Sequence, residues 1–501
     1  MRRLIPGYEW YKSPRSVLLF VALGGAVLCF YGRQPLSHTD LWGHLAYGRL
    51  ICETGRIPAT EPFMPLARGV PLVDTAWLSQ LVAYLVISGS GPAGIQLLHA
   101  SAIAACFLLL AGAIYCRTRN VPMTIAGLAV FAVLNWFQFH IVRPQIAGLV
   151  CYCALLMLLT SRRWSRNFWW LTGTLFCVWA NLHGSFVVGL ALLACAAVGR
   201  AIDVWRRTGR MAAAAGDNPF RRLLLLILVG VAASLVNPYG VRLYSEVFSV
   251  SRNPNLNDLV EWQPLAFRTR HGAIACAAAI VLLVAWIFDR RRLRAGEVLA
   301  VIGFGAATVY SARMVLWWAA LAAVSFAMHA HALLRRFYPV TWRLGRSRPA
   351  IGWTIAAVAL AAISLASTPL GQHLLFGRPI WLEAVVSAQT PVAATRWLSG
   401  RPPARQIFNI YEWGDYLVWA GPPDVPVFVT SQAHLVPRAV WRDYMSVIGV
   451  SPGWQEILDR YEVDLVLVDK RRRRPLIGAL TKEGGWKRVY EDGIAVIFTR
   501  R

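Results

Sequence analysis

The chain has 501 residues, of which 57% are hydrophobic and only 15% charged, and its mean hydropathy is +0.48. Apolar runs of roughly 15 to 22 residues recur along its first three quarters, about the length of a helix through a bilayer core, which excludes an ordinary soluble protein. The net charge of +26 does not indicate nucleic-acid binding, because the basic residues form short clusters between the apolar runs, as in membrane proteins.

The sequence therefore predicts a polytopic α-helical membrane protein with about eleven spans. The N-terminal run is interpreted as a retained anchor, since no small-residue cleavage site follows it. The predicted spans are 16–31, 94–115, 122–141, 145–160, 168–182, 186–199, 221–236, 272–288, 297–311, 314–333 and 350–368.

The distribution of Lys and Arg predicts the orientation of these spans. If the N-terminus is cytoplasmic and the spans alternate, the cytoplasmic segments hold 24 basic residues and the opposite side, without the C-terminal domain, holds 10. This asymmetry follows the positive-inside rule. We expect a multi-pass protein of the plasma or inner membrane, surrounded by membrane lipids.

The short apolar segment from Thr75 to Gly89 is the exception. Counted as a span, it would invert every later loop and place the arginine clusters outside. We interpret it as an interfacial or partly inserted helix. The alternative is a twelfth span with a weaker charge rule.

The composition changes at about Pro369, where Gly, Pro and charged residues become more frequent. Strand-like runs at 425–430, 463–469 and 494–499 alternate with helical patterns. We predict a transmembrane domain over 1–368, with a long first extracytoplasmic loop at 32–93, and a small extracytoplasmic α/β domain over 369–501. The basic run "KRRRR" at 470–474 is interpreted as a solvated loop; the alternative is a patch that binds phosphate or lipid headgroups.

Polar motifs interrupt the apolar pattern only on the predicted extracytoplasmic side. Because polar groups at membrane depth are costly and tend to mark function, these motifs suggest one site assembled between spans. They are "DLWGH" at 40–44, "RPQ" at 143–145, "NLHG" at 181–184, "NPYG" at 237–240, "EW" at 261–262 and "SAR" at 311–313.

The first of these motifs has two interpretations. Asp40 and His44 are four residues apart, so on a helix they share one face. Their neighbours are largely apolar, as expected of a helix along the membrane surface. Alternatively, Ser37 or Thr39 caps the helix and Asp40 is an acidic residue of its first turn.

Several stretches carry a family resemblance: "DLWGHLAYGRLICETGRIPATEPF…PLVDTAWLSQLVAYLV", "RPQ", "NLHGSF", "NPYG", "FNIYEWGDYLVW" and "YEVDLVLVD". In these stretches the chain resembles the GT-C superfamily of membrane glycosyltransferases. It is most similar to a bacterial branch that is described as resembling dolichyl-phosphate-mannose protein mannosyltransferases and lipopolysaccharide-core transferases using polyprenyl-linked sugars. The resemblance covers most of the chain. It implies a polyprenyl-phosphate sugar as donor and an extracytoplasmic acceptor, which is a glycan, a lipid or a protein.

The resemblance also implies roles for individual residues. Asp40 would be the base that takes the proton of the acceptor hydroxyl. Arg143, His183 and Arg313 are candidates for stabilising the polyprenyl phosphate as it leaves. Both arginines could instead reach to the membrane interface, and the histidine could be a satisfied group at a helix end. Weaker candidates for substrate binding are His44, which could instead orient Asp40 or be structural, together with Asn181, Asn237 and Glu261; the Asn-Pro motif reads first as a turn.

Two stretches depart from the pattern of the superfamily. Many members have a second acid in their next extracytoplasmic loop, whereas "FHIVRPQ" contains no carboxylate. We therefore expect no cofactor and metal-independent chemistry, because the ligand set for a divalent metal would be thin. Related chains often read like "VFIDGR" where this one has "VFVTSQ" at 427–432, which points to a different substrate or to lost activity.

Two other functions are weighed against a transferase. A transporter or flippase would carry binding residues near the midplane and internal repeats, and neither feature is visible here. A non-catalytic binding or assembly protein that keeps this fold is the stronger alternative, supported by the two departures.

Overall fold

The computed structural model describes residues 14–37, 39–160, 167–289, 293–337 and 351–501. The predicted apolar runs are helical, as expected where lipid cannot satisfy backbone groups. The helices of the first 251 residues are α1 (Pro14–Tyr31), α2 (Leu41–Thr54), α3 (Trp77–Thr118), α4 (Val121–Leu134), α5 (Gln145–Thr160), α6 (Asn167–Leu182), α7 (Phe186–Thr208), α8 (Asn218–Ser234) and α9 (Arg242–Ser251). They are followed by α10 (Arg270–Phe288), α11 (Ala295–Tyr310), α12 (Val315–Phe337), α13 (Ile351–Ala366) and α14 (Pro369–Phe376).

Each predicted span overlaps a helix, but fewer helices are long enough to cross a bilayer. Among the described residues, four helices pass by length and hydropathy: those at Trp77–Thr118, Phe186–Thr208, Arg270–Phe288 and Ala312–Phe337. The pair α13 and α14, bent by 99°, would be a fifth. The chain is a multi-pass membrane protein whose described residues contain four or five helices that pass this test. The count of eleven and the orientation stay predictions.

The long helix α3 contains the segment that was predicted to be interfacial. At Gly91 its backbone leaves the helical region, with φ 63° and ψ −169°, and Pro92 follows. Glycine adopts this positive φ without steric cost, and proline removes a donor from the helical ladder. The break separates 77–90 from the predicted span at 94–115, and whether 77–90 crosses the membrane stays open.

The chain divides into two compact units. The first unit comprises Met1–Gln34, Gln96–Tyr244 and Val260–Pro379. In it α1 packs on α13, α7 on α11, α4 on α12 and α6 on α8. Among the four long spans of the described residues, α12 is the most enclosed, since all side chains from 315 to 325 are buried. In contrast, α10 exposes a run of large apolar side chains from 280 to 288, as a lipid-facing helix would.

The second unit comprises Pro35–Ile95, Ser245–Leu259 and Ile380–Arg501. Besides α2, it contains a four-stranded sheet in the order β1-β2-β4-β3. The pair β1 and β2 is parallel, while β4 runs antiparallel to both of its neighbours. The strands are β1 (Gln406–Asn409), β2 (Val463–Asp469), β3 (Trp486–Glu491) and β4 (Ala495–Arg500), and the further helices are α15 (Leu382–Val385), α16 (Val392–Ser399), α17 (Tyr411–Ala420), α18 (Arg438–Ile448), α19 (Trp454–Arg460) and α20 (Arg474–Lys482).

The prediction of a strand at 425–430 is wrong. In this segment only Val427 makes a ladder contact, an isolated parallel bridge to Ile407. Pro426 lacks a backbone N–H, so it cannot continue a ladder on that side. Its carbonyl instead accepts the N–H of Ile407 at 3.0 Å. The predicted strands at 463–469 and 494–499 correspond to β2 and β4.

The three segments of the second unit are held together by polar contacts. Backbone bonds join Leu36 to Val385 at 2.8 Å and to Ser387 at 2.7 Å. The amide of Asn255 donates to two carbonyls of the C-terminal segment, each at 2.8 Å. The buried indole of Trp441 donates to Asp258 at 2.8 Å. Segments distant in the sequence therefore form one core.

Candidate functional site

Asp40 lies immediately before the first residue of α2, in a strained backbone conformation. Its φ is 22°, outside the region that non-glycine residues prefer. Strain of this kind costs on the order of 1–3 kcal/mol and is concentrated at functional sites. Because α2 starts at Leu41, Asp40 itself occupies the N-cap position, and its side chain makes no capping bond to this described helix. The alternative in which Ser37 or Thr39 caps the helix is therefore wrong.

His44 is held by a chain of polar groups from a neighbouring segment of the same unit. The buried amide of Gln80 donates to Nδ1 of His44 at 3.2 Å and to Oδ1 of Asp74 at 3.0 Å. The same Asp74 oxygen accepts the N–H of Ala76 at 2.9 Å. An imidazole that accepts at Nδ1 carries its proton on Nε2 when neutral. The orientation of His44 is thus set by Gln80 and Asp74.

A second buried pair lies one turn further along α2. The hydroxyl of Tyr47 donates to Glu61 through a short hydrogen bond. The other oxygen of Glu61 accepts the backbone N–H groups of Phe63 at 2.8 Å and of Met64 at 3.1 Å. Burial raises the pKa of Glu61, although these donors oppose the shift.

The fourth acid of this region comes from the C-terminal part of the chain. Asp415, on α17, is only 1% exposed. Its Oδ1 lies so close to α2 that a Cβ at Gly43 would overlap it, which explains why the helix has a glycine there. The ring of Trp42 meets the ring of Tyr416 edge to face at 5.0 Å between centroids, and Arg49 donates to two carbonyls at the end of α17, each at 3.3 Å. These contacts fix α17 against α2.

The group that we call the acidic cluster consists of Asp40, Glu61, Asp74 and Asp415. Burial, then the negative charge of Asp40, raises the pKa of Asp415 to about 7, while hydrogen bonds from Ser431 oppose the shift. Burial alone raises the pKa of Asp74 to about 7 against the bonds from Ala76 and Gln80. The cluster therefore contains two acids that change charge near neutral pH, which is common at functional sites.

A separate ionic group lies in the first unit, where the sequence predicted phosphate-binding residues. Glu261 forms ion pairs with Arg143, through a short contact, and with Arg313 at 3.5 Å. The guanidinium of Arg313 also lies over the ring of Trp262 at 4.5 Å and donates to Gln145 at 3.3 Å. Burial would raise the pKa of Glu261, but the two arginines outweigh burial and hold the pKa below its usual value.

This group, which we call the arginine pair, has two positive charges against one carboxylate. Guanidinium groups bind carboxylate and phosphate in the same planar geometry. Chemically, the arginine pair can hold an anionic group beside Glu261 or in place of it.

The remaining predicted residues have local partners. His183 accepts the backbone N–H of Ser185 through Nδ1 at 3.0 Å. Asn181 donates to the carbonyls of Cys177 and Val236, both at 2.8 Å. Asn237 closes the turn of "NPYG" by accepting the N–H of Tyr239 at 2.7 Å. For Asn181 and Asn237 these bonds describe structural roles.

The two C-terminal features singled out in the sequence also have definite surroundings. In the basic run, Lys470 pairs with Glu491 at 2.5 Å and Arg473 with Glu412 at 3.4 Å. In "VFVTSQ", the hydroxyl of Thr430 contacts the sulfur of Met64 at 3.4 Å, and the next residue, Ser431, donates to Asp415. The stretch that departs from the superfamily therefore contacts the acidic cluster.

Sequence reasoning missed Glu61, Asp74 and Asp415 as members of this region. Each of the three is an acid surrounded by apolar or aromatic residues, and this is the signal that the sequence offers for them. In the part of the chain that the structure describes, no group of three or more His, Cys, Asp or Glu side chains is arranged to hold a metal ion. Metal-independent chemistry stays a prediction.

The structure is similar to solved membrane enzymes, although no family model and no curated protein matches the sequence. One is the Archaeoglobus fulgidus oligosaccharyltransferase tethered with an acceptor peptide containing the NVT sequon, with a TM-score of 0.53, 13% identity, and coverage of 99% of this chain and 74% of that one. Another is ArnT from Cupriavidus metallidurans bound to undecaprenyl phosphate, with a TM-score of 0.52, 15% identity, and coverage of 96% and 97%. Both have the GT-C fold, so the predicted GT-C fold of this chain is confirmed.

Proposed function

We propose that this protein is an integral membrane glycosyltransferase of the GT-C type. It transfers a sugar from a polyprenyl-phosphate donor to an extracytoplasmic acceptor, with Asp40 as the general base. The observation that carries the proposal is the position of Asp40: a half-buried carboxylate, on a strained backbone, at the start of a helix packed against a buried acid.

The fold supports the class of reaction. ArnT, which has this fold over nearly its full length, was crystallised with undecaprenyl phosphate, and the archaeal oligosaccharyltransferase with an acceptor peptide. A lipid-linked donor and an acceptor are therefore reasonable partners for this chain. The chemistry must still be argued from its own residues.

The proposed step forms one bond and breaks one. The oxygen of an acceptor hydroxyl attacks the anomeric carbon of the donor sugar, and the bond from that carbon to the phosphate oxygen breaks. The polyprenyl phosphate leaves with the electron pair, and Asp40 takes the proton of the hydroxyl. A hydroxyl is a weak nucleophile at neutral pH, so a positioned carboxylate accelerates this step by about 10²–10⁴-fold.

The arginine pair is proposed to bind the phosphate of the donor. Negative charge grows on the leaving phosphate oxygen, and pre-positioned cations stabilise it. Arg143 and Arg313 already converge on one carboxylate oxygen pair at Glu261. We propose that the phosphate enters this group next to Glu261, with His183 as a further hydrogen-bonding group, and that His44 orients Asp40 or the acceptor.

Transfer of radiolabelled sugar by the purified protein in lipid tests the proposal. Wild type is compared with Asp40→Asn, which keeps the shape of the side chain and removes the base. The matched control is Asp424→Asn, another acid of the second unit at positive φ, 52°, but exposed. We expect wild type and the control to release label from the donor, and Asp40→Asn to lose at least about 100-fold in rate.

Two outcomes would contradict this assignment. Full activity of a folded Asp40→Asn protein would exclude Asp40 as the base. The second outcome is that neither wild type nor Asp40→Asn releases label from any polyprenyl-phosphate donor, and that membrane extracts with and without the protein are equally active. This outcome would favour a non-catalytic binding or assembly role on the same fold.

A further inference from the structure

The negative charge of Asp40 acts on Asp415, a buried acid of the same unit. Asp415, on α17, packs against the first turn of α2, where its Oδ1 would overlap a Cβ at Gly43, and α2 begins directly after Asp40. Asp40 is half-buried, whereas Asp415 is 1% exposed. The two carboxyl groups therefore share a neighbourhood but differ in their access to water.

The hydrogen bonds of Asp415 are unevenly distributed between its oxygens. Ser431 donates to this carboxyl from its hydroxyl and from its backbone N–H. In contrast, none of the described residues makes a hydrogen bond to Oδ2, and this atom is closed off from solvent. A buried carboxylate oxygen without a donor is expensive, and a neutral carboxyl group reduces that cost. The geometry thus favours the neutral form of Asp415.

The charged groups around Asp415 act in the same direction. Asp40, just before α2, and Tyr47, on α2, face Asp415 from one side. Glu61 faces it from the loop that follows α2, and Ser431 from "VFVTSQ". On its own helix Glu412 is paired with Arg473. Among these described neighbours none brings a positive charge to Asp415 itself, so ionisation of Asp415 would add a negative charge to two existing acids.

We propose that Asp415 is a positioning residue for Asp40: it holds a proton as a neutral carboxyl group and so keeps a second negative charge away from the proposed base. Two nearby carboxylates of unequal burial divide the roles of acid and base in this way. The pKa of Asp415, raised to about 7, agrees with this division. The role of Asp415 in catalysis rests on the proposed function, whereas the assignment of a proton to Asp415 does not.

Infrared difference spectroscopy of the full-length protein in lipid tests the proton directly. The C=O stretch of a neutral carboxyl group is followed from pH 5 to pH 9 in wild type, Asp415→Asn, Asp40→Asn and Asp74→Asn. We expect a band that disappears with a midpoint near pH 7 in wild type and is absent in Asp415→Asn. In Asp40→Asn the midpoint falls by about one pH unit or more, because the neighbouring negative charge is gone.

Asp74→Asn is the matched control, because Asp74 is a buried acid of the same cluster whose pKa is also about 7. It removes the band of Asp74 and leaves the one that responds to Asp40. Should Asp415→Asn not fold, Ser431→Ala gives an independent measurement: loss of a donor to Asp415 raises the midpoint.

The proposal is overturned if no neutral carboxyl band is lost in Asp415→Asn, or if Asp40→Asn leaves every midpoint unchanged. The transfer assay on the same preparations separates the two proposals. Wild type that shows the coupled band and transfers no sugar would refute the proposed function and keep the proton assignment. Transfer of sugar by wild type without a coupled band would refute the proton assignment and keep the proposed function.

Discussion

Gly43 is the position where the smallest change should disturb the proposed site most. A methyl group at this position would overlap Oδ1 of Asp415 and lie 2.9 Å from its Cγ. Asp415 cannot move aside easily, because it is buried on a helix that Trp42 and Arg49 hold from α2. Overpacking of this kind costs about 1–3 kcal/mol, while alanine in place of glycine gains about 1 kcal/mol of helix propensity.

We therefore expect Gly43→Ala to lower the free energy of unfolding of the second unit by up to about 2 kcal/mol. We also expect transfer to fall about tenfold or more, since a small displacement of Asp415 moves the group that positions Asp40. Thermal melting of the protein in detergent gives the stability, and the labelled-sugar assay below the melting range gives the rate.

Gly478→Ala is the matched control for this substitution. Gly478 lies in α20, and a Cβ there meets nothing within 4 Å. The gain in helix propensity then stands alone, so this variant should be as stable as wild type or slightly more so, with unchanged transfer. The reasoning is refuted if Gly43→Ala behaves like Gly478→Ala in both measurements.

Three further predictions concern individual side chains. Arg313→Lys should raise the KM for the donor about tenfold with a smaller change in kcat, because lysine cannot replace the planar fork; the exposed Arg268→Lys, scored in the same assay, should not. The pKa of Asp74 is raised to about 7, so between pH 4 and pH 7 the unfolded chain binds fewer protons at this residue than the folded chain does. The melting temperature of wild type should therefore fall as the pH rises from 4 to 7, with a shallower slope in Asp74→Asn. His329→Leu should destabilise the first unit by about 3–5 kcal/mol on melting, because both imidazole nitrogens contact carboxylates, of Asp289 at 2.7 Å and Glu297 at 2.9 Å; a melt like that of wild type would contradict this.

Much of the helical part of the fold could be predicted because its signal is local. An apolar run in the sequence is sufficient to indicate a helix, and all eleven runs overlap one. Whether each helix crosses the membrane is a weaker inference, since α4, α5 and α11 have only 14 to 16 residues.

The sheet was predicted less completely. The strands β2 and β4 are long β-branched runs and were recognised. The strand β1 has four residues, too few for a periodic pattern, and β3 is an edge strand whose sequence, "WKRVYE", is half charged. At 425–430 the apolar residues predict a strand, but Pro426 has no N–H with which to continue a ladder.

The candidate site divides in the same way. Arg143, Glu261 and Arg313 were selected one by one for being polar in apolar surroundings, and the structure joins them through Glu261. Asp415 could not be assigned from its neighbours in the sequence. Its significance comes from Gly43 and Asp40, which most of the chain separates from it, and from an oxygen that no local pattern reveals.

The acidic cluster also explains why the missing second acid of the first half of the chain need not mean lost activity. A second acid lies near Asp40, but it is supplied by α17, and burial raises its pKa to about 7, so that a neutral form is populated at neutral pH. A neutral acid cannot offer a cation the charge of a carboxylate, whereas it can hold a proton next to a base without adding charge. Asp415 is therefore better suited to holding a proton near Asp40 than to binding a metal ion. The stretch "VFVTSQ" takes part in this arrangement through the two hydrogen bonds that Ser431 donates to Asp415.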